Sequence, residues 1–300
     1  MSYKSGFVGL IGQPNAGKST LMNYLIEQKV SIVTAKPQTT RRRILGIYTA
    51  KEAQIVFIDA PGVLKADKGL NSFLEKEALE VMRESDVLVA VVSVDEKEAD
   101  ANQKILDMVK ASHKSWVGLI TKTDVSEKAH RVLILRNMIE AMGAPCLQLS
   151  CLKDGQEGRQ LIIEKLIPLL PDAEGPLYED DMYTTENVRD LVAEIIREKC
   201  FLNLEHEIPY QIAVQIRKFD ENVKPCPHIY ADVMVGKDSH KPIVVGQKAQ
   251  VIKKISQQSR EEIEKLMQEK IFLELNVVVK EQWYDHTQTM KELGYVIERK

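Results

Sequence analysis

Phe7-Val8-Gly9-Leu10-Ile11, followed at once by Gly12-Gln13-Pro14-Asn15-Ala16-Gly17-Lys18-Ser19, decides the fold of this 300-residue chain. The apolar run has the length and pattern of a strand buried on both faces. The residues after it match GxxxxGK[ST], and a predicted helix follows them. Strand, glycine-rich turn and helix in that order make a phosphate cradle. The glycines let the backbone curl so that its amides face an anion at the helix N-terminus. Gly12, Asn15, Ala16, Gly17 and Thr20 belong to this cradle, Lys18 reaches the terminal phosphates, and the Ser19 hydroxyl is placed to ligate Mg2+.

Outward from that point, runs of strand length recur at residues 55–58, 87–92, 116–120 and 145–149, with segments suited to helices between most of them. Such spacing predicts a parallel, doubly wound sheet. Residues 43–50 instead alternate and meet 53–59 through the short Lys51-Glu52 turn, which predicts one antiparallel hairpin at the sheet edge. The strand at 55–58 delivers Asp59-Ala60-Pro61-Gly62 to the ligand-bearing edge. Asp59 is expected to hold the metal, directly or through water, and the Gly62 amide to sense a terminal phosphate. Between the two motifs, Gln38-Thr39-Thr40-Arg41-Arg42-Arg43 reads as a mobile polar loop. Thr40 is expected to close over Mg2+ when a third phosphate is present, with Thr39 as its rival.

Thr121-Lys122-Thr123-Asp124 follows the strand at 116–120 at the same edge. An Asp124 carboxylate accepts two hydrogen bonds from guanine, whereas adenine offers no donor there and leaves a charge unpaired. Lys122 lays its aliphatic stem over the base. Ser150-Cys151-Leu152, after the last strand, supplies a backbone amide to the base carbonyl.

At 44% hydrophobic residues the chain can fill two cores. Lys and Arg number 41 against 44 Asp and Glu, which excludes a polycation that binds nucleic acid indiscriminately, so any RNA site must be a local patch. Cys146, Cys151, Cys200 and Cys226 show no paired CxxC spacing, which fits a reducing cytoplasm. No stretch reaches the roughly 18 apolar residues of a spanning helix. After an expected helix over 157–170, Pro171-Asp172-Ala173-Glu174-Gly175-Pro176 and the acidic Glu179-Asp180-Asp181 break the pattern. The expected division is a nucleotide domain over 1–172, a linker over 173–183 and a smaller domain over 184–300. That second domain reads as a helix over 186–204, strands over 210–219 and 228–235, a helical 247–268 and a strand over 271–279.

The ordered motifs resemble the translation-factor-related GTPases of the P-loop class, and across nearly all of the chain they resemble the Era family. Era-like phrasing includes Pro37-Gln38-Thr39-Thr40-Arg41, Val192-Ala193-Glu194-Ile195-Ile196-Arg197-Glu198-Lys199 and Glu207-Ile208-Pro209-Tyr210. The resemblance implies an α/β P-loop GTPase domain followed by an α+β type II KH domain. It implies a cytoplasmic monomer that uses GTP, GDP and Mg2+, binds the 3′ region of 16S small-subunit ribosomal RNA and assists assembly of the 30S subunit. A peripheral fraction at the inner membrane is left open as a further expectation.

Val244 to Lys253 resembles the GxxG loop and following helix of a KH domain, which clamps about four nucleotides of a single strand. Gly246, Gln247, Lys248 and Ala249 then form the clamp, Val251 and Ile252 line the groove, and Lys253 and Lys254 contact phosphates. Six basic residues from Lys237 to Arg260 stand against the single acid Asp238.

Three residues depart from the family pattern. Thr121 stands where Asn is usual and is expected to make only part of the bridge from base loop to P-loop. Cys151 replaces Ala, and Ala249 replaces the second glycine of the clamp, where a Cβ narrows the approach to the RNA backbone. Val63 occupies the position where signalling GTPases carry a water-orienting glutamine, so slow turnover resting on Mg2+, Lys18 and backbone amides is expected. Asn15 has two open readings, a potassium ligand or a residue that satisfies the turn. Trp283 reads as a packing anchor in preference to a base-stacking residue. Two rival readings of the whole are an RNA-binding adaptor with a structural nucleotide site and a membrane-associated regulator.

Overall fold

The computed structural model describes residues 2–62, 69–96 and 100–295. They form two compact units, residues 1–66 with 74–185 and residues 67–73 with 186–300.

In chain order the first unit carries β1 (Tyr3–Gly12), α1 (Lys18–Ile26), β2 (Ile44–Ala50), β3 (Ala53–Asp59), the greater part, from Leu74 on, of α2 (Gly69–Glu84), β4 (Val87–Ser93) and α3 (Ala101–Ala111). β5 (Ser115–Thr121), α4 (Ala129–Ala141), β6 (Cys146–Leu149), α5 (Gly155–Leu166) and the short β7 (Asp172–Ala173) complete it. The strand order is β2-β3-β1-β4-β5-β6, parallel except for β2, which pairs antiparallel with β3 from Ile44↔Asp59 to Ala50↔Ala53. This is the expected doubly wound sheet with an antiparallel edge strand, to which the two-residue β7 adds a second antiparallel pairing, against the start of β1 (Tyr3↔Ala173, Lys4↔Asp172).

Every residue of β3 and β4 is buried, because helices cover both faces of the sheet. Val87, Val89 and Val91 pack with Leu21 and Leu25 of α1 and Ile163 of α5. Their neighbours Leu88, Ala90 and Val92 pack with Val81, Ile105 and Ile139 of α2, α3 and α4. Each such side chain contributes roughly 1.5–3 kcal/mol by leaving water. The payoff for function is geometric: the parallel strands end together, so Gly12, Asp59, Ser93 and Thr121 arrive at one edge.

The helix expected over 157–170 starts at Gly155 and stops at Leu166, where Pro168 confines the next residues to a single tight turn. Residues 173–183, expected as a linker, lie along the first unit. The amide of buried Gln54 holds them: its Oε1 accepts from the backbone N–H of Leu177 (2.7 Å) and Tyr178 (2.9 Å), and its Nε2 donates to Tyr178 O (2.9 Å). Farther on, Ile47 N donates to Tyr183 O at 2.9 Å, and Thr184 bridges to Gly46.

The second unit runs α6 (Val188–Asn203), β8 (Ile212–Asp220), β9 (His228–Val235), α7 (Lys241–Val245), α8 (Gln250–Met267), β10 (Phe272–Val279) and α9 (Thr287–Glu292). Its sheet order is β10-β9-β8, with β8 antiparallel and β10 parallel to β9. Asn187 caps α6 by accepting the Asp190 N–H at 2.8 Å. Alternate residues of β9, namely Ile229, Ala231, Val233 and Val235, are buried in a core shared with Ile195 and Ile196 of α6 and Ile255 and Ile263 of α8. The succession helix, two strands, helix, strand is the expected α+β arrangement, with α7 inserted before α8 as an element the sequence pattern did not show. The helix expected from 247 begins at Gln250, because Lys248 and Ala249 adopt left-handed backbone angles just before it.

Candidate functional site

The Gly12–Ser19 turn leaves β1 and enters α1 through Gly17, whose φ of 95° is a conformation glycine adopts without a Cβ penalty. No side chain caps α1, so its first amides are left to a ligand. Lys18 is buried, and its ammonium donates to Gly12 O (3.0 Å) and Gln13 O (2.9 Å), which points it along the inside of the turn. Burial lowers its pKa to about 8, although the Asp59 carboxylate pulls the other way. A cleft of about 780 Å3 opens over the turn. Asn15, Gly17, Lys18, Ser19, Thr20, Thr40, Gly62 and Lys122 all line it. Gly62 comes so near the turn that a Cβ on it would lie 2.5 Å from Pro14 N.

Asp59 is fully buried at the end of β3. Its Oδ2 accepts from Ser19 Oγ (2.5 Å) and Ser31 Oγ (2.8 Å), with Thr40 Oγ1 at 3.4 Å, and Ser19 Oγ also meets Thr40 Oγ1 at 2.8 Å. Burial raises the Asp59 pKa, opposed by Lys18 and by the hydroxyls of Ser19, Ser31 and Thr40. Its Oδ1 is buried without any hydrogen-bond partner. An orphaned carboxylate oxygen beside two hydroxyls is a hard-oxygen donor set, which fits Mg2+. Thr39, the rival of Thr40, turns away and bonds within its own loop, to Lys36 O (2.8 Å) and Thr34 Oγ1 (2.7 Å).

Residues 38–43, read in the sequence as a mobile loop, close the connection between α1 and β2. Earlier in that connection Asn15 Nδ2 donates to Ala35 O at 2.9 Å, Asn23 holds the backbone of Val30 and Ser31, and Ser31 bonds to Asp59. Arg43, at its end, pairs with Glu77 (3.3 Å) and Glu84 of α2. Asn23 and Ser31 escaped the motif reading; the only sequence signal was a polar residue inside each of two apolar stretches. Val63 lies outside the described residues.

At the base end, the Thr121 hydroxyl donates to Ala16 O at 2.6 Å and lies 3.2 Å from Val92 O. One hydroxyl thus ties the base loop to the P-loop, which is the bridge expected to be partial. Lys122 reaches Asp95 at 3.5 Å. Asp124 Oδ1 accepts from Ser150 Oγ at 2.8 Å, while the Ser150 N–H is given to Asp154 Oδ2 at 2.7 Å. Cys151 is partly buried, with its thiol pKa pushed up to about 12 by desolvation. Leu152 is 81% exposed. Asp124, Ser150, Cys151 and Leu152 flank the cleft without lining it.

In the second unit, Gly246 has φ 75° and ψ 168°, and a Cβ there would meet Val251 Cγ2 at 2.5 Å. Lys248 and Ala249 follow with φ of 50° and 58°. Gln247, Lys248, Lys253 and Lys254 are exposed, while Val251 and Ile252 pack partly against the core. Trp283 is completely buried, and its Nε1 donates to Gln211 O at 2.8 Å, so it is an anchor and does not stack on a base. Among the described residues, no helix is long and apolar enough to cross a membrane.

A P-loop turn, a buried carboxylate ringed by hydroxyls and the Thr121–Asp124 loop, gathered on one sheet edge, define a P-loop GTPase, here continued by a KH-type unit. Family models agree: "50S ribosome-binding GTPase" matches residues 7–122, and "KH domain" matches residues 207–284. GTPase Era of Halothermothrix orenii is 39% identical over 298 residues, covering 98% of this chain and 99% of that protein. GTPase Era of Clostridium botulinum is 37% identical over 295 residues, covering 98% of each. Two solved structures share a TM-score of 0.91 and 31% identity, over 98% of this chain and 100% of theirs. One is a variant of Aquifex aeolicus Era bound to GDP·AlF4−, and the other is Era with MgGDPNP and nucleotides 1506–1542 of 16S ribosomal RNA. The chain belongs to the Era family of GTPases.

Proposed function

We propose that this GTPase binds the 3′-terminal region of 16S ribosomal RNA through its KH unit, couples that binding to GTP hydrolysis, and thereby assists 30S assembly in the cytoplasm. The observation that carries the reading is that the phosphate cradle and the GxxG-like loop both exist, each opening a helix, on a chain that is similar end to end to an RNA-bound Era. In this assignment residues 1–172 hold the nucleotide and 184–300 the RNA.

Gly12, Asn15, Ala16, Gly17, Ser19 and Thr20 wrap the phosphates with α1 amides, and Lys18 sets its charge against the terminal ones. Ser19, Thr40 and Asp59 hold Mg2+, which neutralises charge developing on the phosphate oxygens. Thr40 and Gly62 report the third phosphate, since both line the cleft beside Lys18. Asp124 reads guanine with its carboxylate held by Ser150, Lys122 covers the base, and Cys151 and Leu152 bring backbone to its carbonyl. Potassium at Asn15 is part of this reading: Asn15 lines the cleft and its Nδ2 is committed to Ala35 O. Gly246, Gln247, Lys248 and Ala249 clamp the RNA backbone, with Lys253 and Lys254 on phosphates and Val251 and Ile252 in the groove.

The test is hydrolysis of GTP and ATP in parallel, in potassium or sodium buffer, with and without a single-stranded 16S 3′-end fragment. GTP-selective turnover that rises with RNA is expected, with RNA affinity changed reciprocally by nucleotide. RNA binding without turnover would favour the adaptor. Equal rates in the two salts would remove potassium, and co-sedimentation with anionic vesicles tests the membrane fraction.

A further inference from the structure

No motif singles out Ser31, yet its side chain is 1% exposed and its hydroxyl donates to Asp59 Oδ2 at 2.8 Å. Asn23 of α1 fixes its backbone with three bonds. Asn23 Oδ1 accepts the N–H of Val30 (3.0 Å) and of Ser31 (2.9 Å), and Asn23 Nδ2 donates to Ser31 O (2.7 Å). At the other end of the same loop, Thr40 Oγ1 stands 3.4 Å from the same carboxylate oxygen. The loop is therefore tied to Asp59 at both ends. Of the three hydroxyls around Asp59 Oδ2, those of Ser19 and Thr40 are assigned to the metal and that of Ser31 is not.

We propose that Ser31 is a positioning residue for the Asp59 carboxylate, with Asn23 as its support. Its proton fixes the plane of the carboxylate and so aims the partnerless Oδ1. Because Asn23 belongs to the helix that carries the phosphate cradle, cradle and carboxylate are held in one register. The proposal rests on the reading of Asp59 as the metal-bearing carboxylate.

The experiment measures the affinity of the full chain for fluorescent GDP in Mg2+ and in EDTA, and takes the ratio. Ser31→Ala is expected to reduce the Mg2+-dependent gain about tenfold, the scale on which outer-shell partners affect metal affinity, while leaving the EDTA value within about twofold. Ser31→Thr, which keeps the hydroxyl, restores the gain, and Asn23→Ala lowers it less. In an Asp59→Asn background, Ser31→Ala adds nothing. Equal loss with and without Mg2+ would make Ser31 merely structural and overturn the proposal, as would an unchanged ratio. If Ser31→Ala does not fold, Asn23→Ala decides by the same ratio. Should Asp59→Asn itself keep the Mg2+-dependent gain, the site reading fails; should it lose the gain while Ser31→Ala keeps it, only the role of Ser31 fails.

Discussion

Two loops in this molecule do the same mechanical work, opening a helix and presenting backbone at the turn, the first after strand β1 and the second after the short helix α7, and they do it with different residues. At the start of α1 the left-handed capping position is Gly17 (φ 95°, ψ 17°); at the start of α8 it is Ala249 (φ 58°, ψ 28°). Space is not what requires glycine at the first cap, since a Cβ on Gly17 would find its nearest neighbour, Thr121, at 3.8 Å. Conformation is. In the second loop the glycine that space requires is Gly246, which would drive a Cβ into Val251, and the cap itself tolerates alanine. Left-handed alanine costs about 1 kcal/mol or somewhat more. Ala249, at φ 58°, sits inside the left-handed well that a Cβ can enter at that cost, whereas Gly17, at φ 95°, lies outside it. A motif departure at a cap is therefore a tax on stability before it is a loss of the site.

The largest break in the comparison is expected from Lys18→Ala. The first loop works through a buried charge, the second through exposed ones, so removing Lys18 should cut GTP turnover by about 100–1,000-fold without altering RNA affinity in nucleotide-free protein. Single-turnover kinetics and RNA titration check the two halves. Gly246→Ala comes next. Its backbone angles fall in a region open essentially to glycine alone, and the added methyl meets Val251, so a loss of roughly 2–4 kcal/mol is expected. Hydrogen exchange of the α8 amides in the full chain should show it, with the α1 amides unchanged. The smallest effect sharpens the comparison: Ala249→Gly should stabilise the second unit by about 1 kcal/mol and bring its cap into line with that of α1. A thermal midpoint that falls on this change would mean that the left-handed alanine is not strained.

Much of the first unit is legible because its strands are buried on both faces and read as unbroken apolar runs, and because each run ends in a motif. β2 is legible as a hairpin because it alternates. What escapes has short or non-periodic signals. β7 has two residues and α7 has five, too few for either period to repeat. The segment 173–183 looks like a linker because it is acidic and broken by Gly175-Pro176, yet Gln54 inside an apolar strand holds its middle; the clue lay 120-odd residues away from the stretch it explains. In the candidate site, the cradle, Asp59 and the base loop follow from spacing. Ser31 and Asn23 do not, since serine and asparagine within apolar neighbours are also what any turn contains. What distinguishes them is the bond from Ser31 to Asp59 and the bonds by which Asn23 holds Ser31.

The strap from Leu177 to Thr184 has one more consequence. A sheet of this kind ends in strands whose unpaired amides and carbonyls invite another chain to add on. On the β2 side, Ile47 N is already engaged by Tyr183 O, and the Thr184 hydroxyl takes Leu45 O at 2.7 Å. On the opposite side β6 is four residues long, too short a row to template much. The polar strap thus covers the long border of this sheet, along which these molecules would otherwise stick to each other as they emerge and fold.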